Sequence, residues 1–230
     1  MNVDHAAKLL AETQIFEDLD DASLRKLGER ATQRTYDKGQ LIFHQGDIAG
    51  SLFVMREGLV KVFVTSEAGD EMVFVTLRPP DTFGELALLD GLERSASAEA
   101  VEPTTVVELD RSTFLELLTS NPHMTEALLQ SMGRVLRRLT EQASDLVFLD
   151  LHGRVAKLLL NIADRRGVAL TTGQELDLQL TQSDLARMVG GSRQSVNQIL
   201  RSFERRGYLE IDGRKVVVKE AEQLKRRAGL

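Results

Sequence analysis

The sequence predicts an α+β chain: an N-terminal β-roll, a long helix, and a C-terminal winged helix-turn-helix. Three observations carry that expectation. Short apolar runs separated by Gly, Pro and Asp fill roughly residues 20–110. Apolar residues then recur at alternating spacings of four and three from Leu128 to Leu149. Finally, residues 180–210 read as helix, glycine turn and polar-faced helix, followed by a hairpin signal. The expected domains are 1–122, 123–149 and 150–230.

The opening is read as helical, with Leu9, Leu10, Leu24 and Leu27 on short amphipathic stretches. From about Gln33 the period changes. The runs LIFH (41–44), SLFVM (51–55), LVKVFVT (59–65), MVFVTL (72–77) and TTVVEL (104–109) are read as strands. DKG, QGD, EAGD and RPPD punctuate them as turns. Val60, Val62 and Val64 alternate with Lys61 and Phe63, which predicts one dry strand face. Asp110 is expected to cap a short helix, RSTFLELLTS, which Asn121-Pro122 ends.

A long helix is expected from about His123 to Leu149. Leu128, Met132, Val135, Leu139, Gln142, Leu146 and Leu149 form its seam, fit for a parallel coiled-coil dimer or for packing on the chain's own barrel. Leu129, Leu136, Ala143 and Val147 form a second stripe. Phe148, Leu149 and Asp150 are the expected hinge, with Asp150 capping the next helix.

Composition bounds the chemistry. The 230 residues are 42% hydrophobic and 28% charged, ordinary globular usage with enough apolar content for a core. The absence of cysteine excludes disulfides, thiolate metal sites, iron–sulfur clusters and cysteine nucleophiles. No apolar run reaches the length of a membrane span, and MNVDHAAKLLAETQ lacks the layout of a secretory signal, so a cytoplasmic protein with no membrane partner is expected. A β-roll enzyme needs clustered ligands, yet of four histidines only His44 falls in a roll strand. No catalytic set and no metal site are therefore expected. The net charge of −6 hides an asymmetry. Residues 150–230 carry 15 Lys and Arg against 10 Asp and Glu, whereas 1–149 carry 14 against 25. The basic third is the candidate for a phosphate backbone.

Two constellations carry function. With Gln182 at position one of a helix-turn-helix, Ala186 falls where the helices cross and Gly190 where the turn wants positive φ. Leu185, Val189, Val196 and Ile199 take the buried slots. The second helix presents Arg193, Gln194, Ser195, Asn197, Gln198 and Arg201, types suited to base edges and phosphates. Thr181 and Ser192 can meet backbone oxygens from helix N-termini, and Arg214 with Lys215 makes a basic wing. The second constellation is FGELALLDGLERSASAEA, 83–100. Gly84-Glu85-Leu86-Ala87 reads as a helical turn able to receive a phosphate, to which Arg94 returns as a bidentate partner and Ser95 as a hydroxyl. Glu85 could accept a hydrogen bond from a sugar hydroxyl. The competing reading is a structural Glu85–Arg94 ion pair.

These two motifs, in this order, resemble the bacterial cyclic-AMP receptor protein and fumarate–nitrate regulator family of transcription factors, across nearly the whole chain. FGEL followed by ERSASA, and FLDLHGRVAKLLLNIA after the long helix, are more similar to the cyclic-AMP receptor branch. The resemblance implies a cyclic-nucleotide-binding roll and a homodimer whose recognition helices enter a two-fold symmetric DNA operator, with RNA polymerase a further partner. No obligatory cofactor is implied; cyclic AMP is the implied allosteric ligand. Gly84, Glu85, Leu86, Arg94, Ser95 and Ala96 match the nucleotide cassette, and Val62, Phe74, Val75 and Phe83 match positions lining the pocket. Leu139 and Thr140 stand where the family places two small polar residues against the adenine. Arg193 matches the guanine-reading arginine, and Thr181, Ser192, Ser195 and Arg201 match phosphate contacts. Gln194 and Gln198 replace the usual Glu and Arg. A second reading, resting on the apolar Leu139, keeps the DNA-binding regulator and drops its dependence on nucleotide.

Overall fold

The computed structural model describes residues 2–165, 171–178, 180–213 and 215–230. Contacts divide the chain into two compact units, Met1–Arg137 and Arg138–Leu230.

The first unit opens with α1 (Val3–Ala11) and α2 (Asp21–Arg30), capped by Asn2 and Asp20. Strands begin at Thr32, beside the expected change of period at Gln33, so the roll starts later than its expected lower bound near 20. One antiparallel sheet has the order β1 (Thr32–Tyr36), β8 (Thr104–Asp110), β3 (Ser51–Glu57), β6 (Thr82–Phe83). The other runs β2 (Leu41–Phe43), β7 (Ser97–Ala100), β4 (Val60–Thr65), β5 (Glu71–Leu77). The side chains of β3 explain why SLFVM is apolar without alternation. Phe53 and Met55 join Val60, Leu77, Phe83, Ala98 and Val106 in a core shared by the two sheets. Leu52 and Val54 turn the other way and pack with Leu10, Phe16, Leu27, Phe114 and Leu128. A strand dry on both faces has no polar period.

The dry face expected of β4 is not what forms. Lys61 and Phe63 are buried, while Val62 and Val64 are only partly so. A bulge breaks the register beside Val62 and Phe63, leaving Phe74 as the extra residue of β5. Lys61 Nζ reaches Glu71 Oε2 at 3.0 Å and Glu99 Oε2 at 3.1 Å, and sits 4.5 Å from the centre of the Phe63 ring. Paired carboxylates and a ring face allow the ammonium to be buried where an alternation argument places it in water.

Asp110 caps α4 (Arg111–Ser120) as expected, accepting from the Thr113 amide and from the hydroxyls of Ser112 and Thr113. These bonds, Ser112 foremost, hold its carboxyl at about 2, down from an ordinary 3.8. Helix α5 (Pro122–Phe148) begins at the proline, whose missing amide costs nothing at a first helical position.

The second unit holds the C-terminal end of α5 and then α6 (Leu151–Arg165). Asp150 accepts from the Gly153 amide at 2.8 Å, the expected cap, and pairs with Arg227 at 2.8 Å. The helices α7 (Gln182–Val189) and α8 (Arg193–Arg205) follow, then β10 (Leu209–Asp212) and β11 (Lys215–Val218). Strand β9 (Glu175–Asp177), which the sequence did not reveal, pairs with β11 and completes a three-stranded sheet. The basic C-terminal segment forms α9 (Ala221–Arg227), with Ala221 and Leu224 buried rather than a wholly solvated face.

Candidate nucleotide cassette and nucleic-acid interface

The cassette is assembled by backbone bonds before any side chain acts. The Arg94 amide donates to the Asp47 carbonyl at 2.8 Å, and the Gly46 amide donates to the Arg94 carbonyl at 2.9 Å. Arg94 is thereby clamped to the loop after β2. Arg94 is only 5% exposed, and its guanidinium bonds inward. Nη1 donates to the Gly84 carbonyl at 2.6 Å and Nη2 to the Ser51 carbonyl at 2.7 Å. The group lies 4.2 Å from the centre of the Phe43 ring and 5.6 Å from that of Phe53. Phe43, Phe53 and Phe83 stack on one another with centroids 5.2–6.0 Å apart. A buried cation sits here against the Phe43 and Phe53 rings, and its hydrogen bonds among the described residues go to two neutral carbonyls.

Gly84 is demanded twice. Its φ is +85°, and a Cβ there would lie 2.6 Å from Arg94 Nη1. Glu85 then starts α3 (Leu86–Asp90), and no side chain caps that start. Glu85 is half-buried, and burial pushes its carboxyl up while the Arg94 charge works the other way. Burial likewise pulls the Arg94 guanidinium down, against the charges of Glu85, Asp47 and Glu108. No ion pair joins Glu85 to Arg94 among the described residues, so the structural-pair reading does not hold. Ala96 is buried and Ser95 exposed; Leu86 is 42% exposed.

Of the expected lining residues, Val62 and Val75 face each other across β4 and β5 and pack with Phe83 on the inter-sheet core. Phe74, displaced by the bulge, is half-buried and is not in that cluster. Phe43, Phe53 and the Ser51 carbonyl were missed by sequence reasoning. Their runs were read as strands, but inward and outward positions were not assigned. Leu139 and Thr140 lie on the exposed part of α5, in the other unit.

The seam of α5 needs correction. Leu128 is 4% exposed in the core of the first unit, and Met132 packs against the same cluster. Neither is available to a partner helix along its length. The exposed apolar positions are Leu129 and Leu136 at 66%, Leu139 at 42%, Leu146 at 46% and Val147 at 74%. Val135 is at the margin of exposure, and Gln142 and Leu149 are half-buried. With Ala143, the exposed positions 136, 139, 143 and 146 keep the alternation of three and four, rotated toward what was expected to be the second stripe. Of the residues expected to form a hinge, Phe148 is 79% exposed, and Leu149 lies against Gly153 and Gly229.

In the second unit the helix-turn-helix forms as read. Leu185, Ala186, Val189, Val196 and Ile199 are all buried. Gly190 caps α7 with φ +65°, and the Gly191 amide donates to the Ala186 carbonyl. Thr181 and Asp184 form a reciprocal capping box, and Ser192 caps α8 through the Ser195 amide. These hydroxyls serve their own helices first: Thr181 bonds Asp184, and the oxygens of Ser192 and Ser195 are 2.8 Å apart. Arg193, Gln194, Asn197, Gln198 and Arg201 line one shallow concavity, continued by Glu204 and Arg205. Asn197 Nδ2 donates to Gln182 Oε1 at 2.6 Å, tying α8 to the start of α7. Glu204, unnoticed in the sequence, accepts from the Ile211 amide at 3.1 Å and so anchors β10 to α8. Lys215 is paired with Glu175 at 2.7 Å, which also raises its pKa. Arg214 lies outside the described residues. This face is basic at Arg193, Arg201 and Arg205, with amides between: phosphate-seeking charges beside groups that can read bases.

Among the described residues no helix is long and apolar enough to cross a membrane, and no three His, Asp or Glu side chains are grouped to hold a metal.

Comparison with known proteins agrees with both halves. A family model for the cyclic nucleotide-binding domain matches residues 33–121, and one for the Crp-like helix-turn-helix domain matches 153–227. The CRP-like cAMP-activated global transcriptional regulator of Mycobacterium tuberculosis is 32% identical over 221 residues, 96% of this chain and 99% of that protein. The cAMP-activated global transcriptional regulator CRP of Salmonella typhimurium is 33% identical over 184 residues, 80% of this chain and 87% of that one. The structure of the Thermus thermophilus catabolite activator protein is 31% identical, covering 94% of this chain and 99% of that chain, with a TM-score of 0.53. A CooA mutant from Carboxydothermus hydrogenoformans shares the fold, with a TM-score of 0.78 at 24% identity over 95% of each chain. The two matched models lie in the same order as the roll and the helix-turn-helix, and a relative at 32% identity spans 96% of the sequence: the chain belongs to the CRP/FNR family of transcription regulators.

Proposed function

We propose that this protein is a cytoplasmic homodimer that binds a two-fold symmetric DNA operator under the control of cyclic AMP held in the first unit, and that it works with RNA polymerase. The observation that carries the ligand half is Arg94. Among the described residues its guanidinium, buried against Phe43, hydrogen-bonds two neutral carbonyls and forms no ion pair, which leaves a full charge for a ligand to meet. A phosphate supplies the opposite charge, and the uncapped start of α3 supplies amide donors beside it. The residues therefore fit a cyclic nucleotide. Arg94 would hold the phosphate with Ser95 beside it, Glu85 would accept from the ribose hydroxyl, and Val62, Val75 and Phe83 would form the apolar wall. The full-length relatives are cAMP-activated regulators by name, which supports the choice of cyclic AMP.

The DNA half rests on the exposed row Arg193–Gln194–Gln198–Arg201, with dimerisation through Leu136, Leu139, Ala143 and Leu146. For cyclic AMP to act as a switch it must bind the DNA-competent arrangement more tightly than the other. Leu139 favours a second reading. An apolar side chain there strengthens helix pairing without ligand, by roughly 1.5–3 kcal/mol if fully buried, and the dimer would then be competent on its own. Calorimetric titration with cyclic AMP tests the first reading: saturable heat that Arg94→Leu abolishes supports it. Absence of heat, with unchanged operator affinity, supports the second.

A further inference from the structure

The recognition face carries an inference about the DNA it reads, resting on the proposal above that α8 enters a major groove. Gln194 and Gln198 are both exposed, four residues apart on α8, and line the same concavity as Arg193 and Arg201. Residues at i and i+4 stack along one helix face with Cβ atoms about 5–6 Å apart. Two glutamines so placed meet neighbouring base pairs. A primary amide offers one donor and one acceptor side by side, which matches adenine N7 and N6 in the major groove. An arginine matches guanine N7 and O6 instead, and a glutamate accepts from cytosine N4. The third amide of the row, Asn197, is already committed: its Nδ2 donates to Gln182 Oε1 at 2.6 Å, which fixes the approach of α7 and α8. Glu204, the acidic side chain lining this surface, is turned to the Ile211 amide. Glu204 is the one carboxylate among the described residues lining the concavity, so the groups left there to meet base edges are the Arg193 guanidinium at the helix start and the two glutamine amides.

We propose that Gln194 and Gln198 set this protein's operator preference, specifying A·T base pairs at two positions of each half-site that also carries a guanine read by Arg193.

Selection of bound duplexes from a randomised pool, using the full chain at about 100 mM salt with and without cyclic AMP, tests this. The expected consensus has one G·C pair and two A·T pairs within each half-site, adenine on one strand at both. Gln198→Arg should change the preferred base at one of these two positions from adenine to guanine, by roughly ten- to a hundredfold in relative affinity. Gln194→Glu should change the other to cytosine. Both residues are exposed, so unchanged melting temperatures show that the variants fold. A consensus with G·C pairs at both positions, or variants that leave the consensus unchanged, overturns the assignment while DNA binding stands. Failure to retain any duplex under either condition overturns the regulator reading and this inference with it.

Discussion

Arg94 and Gly84 act as one unit at the scale of single residues. The carbonyl of Gly84 holds the guanidinium, and the missing Cβ makes room for it. Gly84→Ala should cost about 1–2 kcal/mol from the left-handed backbone alone and should push Arg94 off its carbonyls. Its cyclic-AMP affinity should fall at least as far as its melting temperature implies. An unchanged affinity, measured by calorimetry, would detach Gly84 from the site. Asp110 is a separate case, structural rather than functional. Asp110→Ala should destabilise the first unit by about 1 kcal/mol. The sign with pH is set by its depressed folded pKa of about 2 against an ordinary 3.8. The contribution is fully present above pH 4 and is lost as the pH falls through 2. Denaturant titrations of wild type and variant should therefore converge in acid and separate at neutral pH.

Helix α5 separates two jobs along one element. Leu128 belongs to the core of its own unit, whereas Leu136 is open to solvent. Leu128→Ala should lower stability by about 2–5 kcal/mol and leave assembly intact where the protein stays folded. Leu136→Asp should leave the melting temperature of the diluted protein nearly unchanged and shift sedimentation equilibrium to the monomer. The reverse pattern would restore the seam that spacing alone implied. What was legible in the sequence follows the same logic. Helix caps and glycine turns, such as Asp110, Asp150 and Gly190, are local chemistry and read directly. The choice between two apolar stripes on α5 was not, because periodicity names the candidate faces and only tertiary packing decides which is covered. Short strands such as β6, β7 and β9 carry too few residues to show a period, and the pairing partner that defines them is remote in sequence. Lys61 misled an alternation argument because its two carboxylate partners come from other strands.

Across the whole molecule, the acidic amino-terminal part and the basic carboxy-terminal part fit the proposed division between nucleotide binding and DNA contact. The cassette motif was readable as GEL followed by ERSA, yet the aromatic floor under Arg94 was not, since Phe43 and Phe53 belong to β2 and β3, remote from Arg94 in sequence. If two copies grip one operator through about 6–10 phosphates, affinity should fall by roughly 10³–10⁵ between about 50 and 200 mM salt. A slope near zero would mean that the basic face is not the contact. The central claim, that nucleotide in the roll controls a paired grip on duplex DNA, is tested most directly by fluorescence anisotropy of the full chain on a selected palindromic duplex, with and without saturating cyclic AMP. One dimer should bind each duplex, at least about fivefold more tightly with nucleotide, a difference that Arg94→Leu erases. Equal affinity in both conditions for the wild-type protein would contradict it.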